Sequence, residues 1–185
     1  MTVTKNNNWK KAFGIIWTGQ FFSVLTSSLV NFAVIIWLSI ETDSAKMLAW
    51  ATMAALLPQA VIGPFTGVLI DRWNRKRVMM LADSFIAFCT LILAALFWLD
   101  IAKMWHIFVL LALRSVGSAF HSPAMQASVP MLAPAEQLTR IAGINQVIFS
   151  VSNIAAPALG ALLTPLWDLE YVLLLYVCCA LIAVT

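Results

Sequence analysis

Charge is scarce in this sequence. Asp, Glu, Lys and Arg make up 10% of its 185 residues, against 62% hydrophobic residues and a mean hydropathy of +0.92. A soluble domain needs far more polar surface, so that class is excluded. Cysteine and histidine are nearly absent, with three and two copies. Cys89, Cys178 and Cys179 fall inside apolar runs without CxxC or metal-ligand spacing, and His106 stands alone near a segment end. No Gly-rich loop ending in Lys and Ser or Thr is present, which removes an ATP-driven pump within the chain. The basic stretch at residues 72–77 is short and flanked by apolar runs, a poor footprint for nucleic acid. No metal, cofactor, nucleic-acid partner or enzymatic activity is expected.

Long apolar runs are what the chain does have. About 20 such residues cross the roughly 30 Å of a bilayer's hydrocarbon as a helix. The runs do not alternate polar and apolar residues as barrel strands must, so an all-α integral membrane protein is predicted. Six segments are expected: Phe13 to Ile40, Met47 to Leu69, Val78 to Leu99, Met104 to Phe120, Ile141 to Leu166, and Tyr171 to Thr185. The last is still apolar at Thr185 and is expected to be cut short. The first lacks a small-residue cleavage site and reads as an uncleaved helix. Residues 1–12 then form an amino-terminal segment and residues 13–185 a six-helix transmembrane domain.

The few charges are distributed asymmetrically. Lys5, Lys10, Lys11, Arg72, Arg75, Lys76, Arg77 and Arg140 fall on one side, against Lys46 and Lys103 on the other. The side richer in Lys and Arg is cytoplasmic by the positive-inside rule, which puts the amino terminus in the cytoplasm. Glu41, Asp43, Asp100, Asp168 and Glu170 decorate the opposite side. Topology accounts for the basic residues of "GVLIDRWNRKR" (67–77) but not for Asp71, at the negative end of the second helix dipole. Gly63 and Gly67 precede it with GxxxG spacing, which suits close helix packing. An acid backed by such a face suggests a conformational latch.

Polar residues line several apolar helices. Gln20, Ser23, Ser27 and Asn31 share one sector of the first, and Gln146, Ser150 and Asn153 one sector of the fifth. Gln59 and Thr66 lie on the second helix, and Arg114, Gly117, Ser118 and His121 on the fourth. One such group is commonly an interhelical tie. Four polar faces together predict a wet central cavity. Arg114 and Asp83 are the charges set within spans, and such residues mark a pathway or a buried pair. An Asp83–Arg114 pair is one expectation, a coupling role for either another. His121 is a candidate for assisting proton movement, but just before "SPA" it reads first as a loop or cap residue at a helix end. "PFTG" (64–67) and "PALG" (157–160) recur in the middle helix of each three-helix group, a sign of an inverted repeat.

The chain resembles the amino-terminal half of a major facilitator superfamily transporter. "GVLIDRWNRKR" resembles that superfamily's loop signature through Gly67, Asp71, Arg72, Arg75 and Lys76, with Asn74 where glycine is usual. "RSVGSAF" resembles the fourth-helix signature through Arg114 and Gly117. "APALGA" resembles the fifth-helix antiporter signature through Pro157 and Gly160, with Ala156 and Ala161 replacing glycines. Together with "NNWKKAFGIIWTGQ", "RSVGSAFHSPA" and "EQLTRIAG", these stretches resemble the macrolide-efflux branch of drug exporters.

The resemblance implies six helices in two inverted three-helix repeats, alternating access, and a cytoplasmic latch that uses Asp71 and Arg75. It implies efflux of hydrophobic or cationic drugs, macrolides first, by proton antiport across a bacterial cytoplasmic membrane. Asp83 and Arg114 are then the candidate coupling residues. Gln20, Ser27, Asn31, Gln59, Gln146, Ser150 and Asn153 are the candidate cavity residues, with Trp17, Phe21, Phe22, Phe32 and Trp37 as apolar contacts. The expected partners are a drug, protons, the lipid bilayer, and a carboxy-terminal half or a second copy. Metabolite uptake or exchange, or a non-transporting membrane module, are the alternative functions.

Overall fold

A helix that is apolar on every side gains nothing by sorting its faces in water, and this chain consists of such helices. The computed structural model describes residues 9–132, 135–163 and 169–184. They form α1 (Trp9–Thr42), α2 (Ala45–Ile70), α3 (Arg75–Trp98), α4 (Met104–Leu132), a single 3₁₀ turn (Ala135–Gln137), α5 (Leu138–Leu163) and α6 (Leu169–Val184). No strand occurs among them. Five helices, α1 to α5, are long and apolar enough to cross a membrane. α6 is apolar throughout but its described length is 16 residues. Lys5, Leu166, Asp168 and Thr185 lie outside the described residues.

The helices pack as two interlocked triplets. α2 rests mainly on α4, and α5 mainly on α1; α3 rests on α4, and α6 on α1; α3 and α6 touch each other. Exchanging α1–α2–α3 for α4–α5–α6 maps this set of contacts onto itself, which is the inverted repeat anticipated from "PFTG" and "PALG". The main core lies where α1, α3, α4 and α6 meet, around Val30, Val34, Leu38, Leu93, Leu111 and Leu173. α2 and α5 lie outermost, with 17% of their apolar windows buried against 39 to 50% for α1, α3 and α4. Large apolar side chains such as Phe65, Leu81 and Ile154 point outward, as lipid contact requires.

Turns on one end use an unusual residue type. Asp43 (φ 43°) and Asp100 (φ 54°) are in the left-handed region, each just after a helix. Asp tolerates this conformation better than most residues because its short side chain bonds locally. After α3 the Asp100 amide bonds the Phe97 carbonyl and the Ile101 amide bonds the Leu96 carbonyl, a complete Schellman closure. On the other end, Asn74 caps α3 by accepting from the Arg77 amide at 3.3 Å. Its φ of −70° needs no glycine, so the departure from the family's usual residue is accommodated by a capping bond.

α4 is longer than expected. It does not stop at Phe120 but continues through Pro123 to Leu132, which places His121 inside the helix rather than at its end. Proline removes the amide that the Ala119 carbonyl, four residues earlier, would accept. The Thr66 hydroxyl on α2 donates to that carbonyl at 2.8 Å. One turn before, the Ser115 hydroxyl accepts from the Gln59 amide, beside Pro58, at 3.1 Å. α2 thus replaces the bond that Pro123 removes, and α4 persists because that lost bond is supplied from outside.

Candidate functional site

α4 carries the two polar groups that organise the interior, Arg114 and His121. Arg114 is 10 residues into the helix, roughly 15 Å from its start and therefore near mid-bilayer depth. It is 1% exposed. Its Nε donates to Asn31 Oδ1 at 3.2 Å, one Nη donates to the Thr90 hydroxyl, and the other donates to the Ser27 carbonyl and hydroxyl at 3.3 and 3.4 Å. Its guanidinium carbon sits 5.0 Å from the centroid of the Tyr176 ring, a cation–π contact. Among the described residues no carboxylate pairs with it.

The expected Asp83–Arg114 pair is therefore absent. Asp83, 4% exposed on α3, pairs with His121, whose Nε2 lies 3.3 Å from Oδ1. The approach is ionic in range but poorly aligned, since His121 Nε2 makes no geometrically acceptable hydrogen bond. The Ser23 hydroxyl reaches the same Oδ1 at 3.4 Å. Helix phase explains the exchange of partners. Asp83 is closer to the basic end of the bundle than Arg114, and His121 is two turns nearer to that end on the same helix.

Gly117 makes the Asp83–His121 approach possible. A Cβ there would lie 2.6 Å from Ile86 Cγ1 and 3.2 Å from Phe85 Cδ1. Ile86 is buried and cannot yield easily, so glycine sets the spacing of α3 and α4 one turn from His121. Gly160 similarly faces α1, where a Cβ would meet Ala33 N at 3.7 Å and Phe32 Cβ at 3.8 Å. The GxxxG pair behaves otherwise. A Cβ at Gly63 or Gly67 would meet nothing within 4 Å, so close packing on that face, expected from the spacing, does not occur among the described residues.

Two adjoining cavities of about 630 and 590 Å³ share Ser28, Asn31, Leu56 and Asn153 and form one groove. The first lies between α1, α2 and α5 and is bordered by Phe32, Thr52 and Pro157. The second reaches Asp83, Ser118, His121, Phe149 and Tyr176. Of the cavity residues expected from sequence, Ser27, Asn31, Gln59 and Asn153 line the groove. Gln20 is buried, with Oε1 unpartnered, and is not part of the lining. Gln146 and Ser150 are exposed on α5, outside both cavities, while Ser152 on the same helix is buried.

Of the expected aromatic contacts, Phe32 borders the groove, whereas Trp37 packs edge-on against Phe97 at 4.8 Å and Trp17 donates to Asn145. Phe149 and Tyr176 were not anticipated. An aromatic within an apolar run carries no signal of which way it faces.

At the basic end, Asp71 and Arg75 pair at 3.7 Å, one turn apart, with Asp71 exposed and Arg75 mostly buried. Arg75 also donates to the Ala127 carbonyl of α4, tying the start of α3 to that helix. Arg72 and Lys76 are exposed beside them, and Gly67 is partly exposed. The loop signature therefore forms a local cluster, with Arg75 its anchor.

The sequence profile of the Major Facilitator Superfamily matches residues 16–185. A protein called Macrolide efflux protein A from Streptococcus pyogenes is 42% identical over 179 residues, covering 97% of this chain and 44% of that protein. Its namesake in Enterococcus faecalis is 40% identical over 139 residues, or 75% of this chain and 43% of that protein. An uncharacterized MFS-type transporter of Bacillus subtilis, YfiS, is 30% identical over 120 residues, or 65% and 28%. The chain spans less than half the length of these relatives. No solved structure matches it.

Proposed function

The chain belongs to the Major Facilitator Superfamily, and from that premise we propose that it exports macrolide antibiotics and related hydrophobic cations from bacteria by alternating access, exchanging them for protons. The observation that carries this reading is the groove. Its lining mixes hydrogen-bonding groups (Asn31, Gln59, Asn153) with aromatic faces (Phe32, Phe149, Tyr176), as a bulky, mostly apolar ligand with scattered polar groups requires. The similarity to macrolide efflux proteins supports the drug class. No catalytic step is proposed for any residue.

On this reading the basic end faces the cytoplasm of a multi-pass protein of the cytoplasmic membrane. The inverted triplets rock against a second six-helix unit, supplied by the same reading frame or by another copy. The open face at Gly63 and Gly67 and the exposed Asp71 are available to that unit. Asp71, Arg72, Arg75 and Lys76 then serve as the latch, while Gly160 lies in ordinary contact with α1 and Pro157 borders the groove.

Accumulation of labelled macrolide in drug-sensitive bacteria expressing the complete reading frame tests the proposal. Low accumulation that a protonophore restores is the expected result. Accumulation unchanged by a protein verified in the membrane removes macrolide export. Labelled metabolite uptake under the same gradient then becomes the experiment for the exchange reading.

A further inference from the structure

Two asparagines border both cavities where they join, Asn31 from α1 and Asn153 from α5. A carboxamide has a donating and an accepting end, and its neighbours decide which one a ligand meets. Asn153 is exposed and makes no hydrogen bond among the described residues, so its amide is free to turn. Asn31 is not free. Its Oδ1 accepts from Arg114 Nε at 3.2 Å, and a guanidinium carries donors only. Reversing the amide would set N–H against N–H in a buried place, so that orientation is excluded.

The arginine is fixed in turn. The Thr90 hydroxyl donates to the Ile86 carbonyl at 2.8 Å, which leaves its lone pairs for one Arg114 Nη. Ser27 takes the other Nη with its carbonyl and hydroxyl oxygens. A chain of one-way bonds therefore runs from α3 through α4 to α1. It ends at Asn31 Nδ2, which has no partner among the described residues. Unlike Gln20 Oε1, that atom is not sealed in the interior. Asn31 is half-buried, so its amino group opens onto the groove.

We propose that Asn31 is a specificity-determining residue of the groove, donating to an uncharged oxygen acceptor of the ligand, and that Arg114 is the positioning residue that holds it in that sense. This rests on the export reading for the groove as the ligand's site and names one feature of what enters it. A carbonyl or similar oxygen satisfies Nδ2. A ligand that presents a donor there leaves both groups unpaired, a mismatch costly away from water. Arg114 touches no ligand and acts through the amide alone.

The test is equilibrium binding of two uncharged probes of similar shape to the purified protein of the complete reading frame. Triphenylphosphine oxide only accepts, and triphenylmethanol donates. The readout is the ratio of their dissociation constants, compared between variants so that unequal partitioning into detergent cancels. Asn31→Asp keeps an oxygen for Arg114 but turns the groove-facing donor into an acceptor. It should melt no lower than the wild type, because Arg114 gains a carboxylate. It should shift the ratio about tenfold or more toward triphenylmethanol. Asn31→Ala, which adds no charge, should shift it the same way by about three-fold. Arg114→Met releases the amide and should also shift the ratio, whereas Arg114→Lys, again a donor without acceptors, should retain it. A merely structural role would weaken both probes alike.

A ratio unmoved in Asn31→Asp and Asn31→Ala overturns the proposal while leaving macrolide export standing. Equal loss of both probes in those variants overturns it too, making Asn31 structural. A ratio that moves at Asn31 but not in a folded Arg114→Met overturns the positioning role. The expected shifts in a protein that leaves macrolide accumulation unchanged uphold Asn31 and remove the macrolide. A protein that binds neither probe removes the groove as the ligand's site, and the proposal with it.

Discussion

Arg114 and His121 lie two turns apart on one helix, and the fold treats them in opposite ways. Arg114 has neutral oxygens on three sides and an aromatic ring beside it, with no carboxylate partner among the described residues. His121 has the carboxylate, at 3.3 Å, but no well-aligned bond and a place on the groove. The difference separates two uses of charge within a membrane. A cation that is completely hydrogen-bonded fixes the packing of four helices. A buried polar side chain that is incompletely satisfied retains the freedom to change partner.

The contrast can be broken first at Arg114. Arg114→Ala leaves a cavity and takes the donor from Asn31, Thr90 and Ser27, and should cost about 2–5 kcal/mol, read as a large fall in the thermal transition in detergent. If Arg114→Ala melts like the wild type but no longer transports, Arg114 is the mobile charge and the comparison inverts. Gly117→Ala comes next, at about 1–3 kcal/mol, because the added methyl overlaps Ile86. It should also separate α3 from α4, so a spin-label distance between those helices near Asp83 should lengthen; an unchanged distance removes Gly117 as the spacer.

Thr66→Val tests whether the Ala119 carbonyl needs its outside donor. A loss of about 1–2 kcal/mol is expected by chemical denaturation, with Thr66→Ser recovering most of it. Asp83→Asn should cost about 1 kcal/mol, because asparagine at this buried site keeps an oxygen acceptor for the Ser23 hydroxyl, while export falls to background. Smallest in stability is Asp71→Asn, an exposed one-turn pair worth about 0.5 kcal/mol or less. Lost export with an unchanged melting temperature would place that residue in the latch; full export would leave it a surface charge.

Much of the architecture is legible in the chain. Scarcity of charge with long apolar runs requires membrane helices, because unpaired backbone groups are not tolerated in lipid. The repeated "PFTG" and "PALG" anticipate the triplet symmetry. Asp83 and Arg114 stand out because an ionisable residue at helix depth is costly wherever it faces. Partner choice is not legible in the same way. Asp83 pairs with His121 only because Gly117 lets α3 and α4 approach, and that depends on atoms from two helices at once. Helix phase placed Gln146 and Ser150 with Asn153, yet they are exposed outside the groove. A polar sector as broad as theirs fits more than one rotation about the helix axis.

The class, the helix count and the uneven charge of the two ends follow from local composition against the bilayer as solvent. The tertiary structure alone decided that α4 continues through Pro123, that Arg114 is held by neutral groups, and that Asp83 meets His121 in the wall of a groove. Each of those outcomes turns on a donor, an acceptor or a steric gap supplied by a different helix. Such complementarity exists only once the helices are packed.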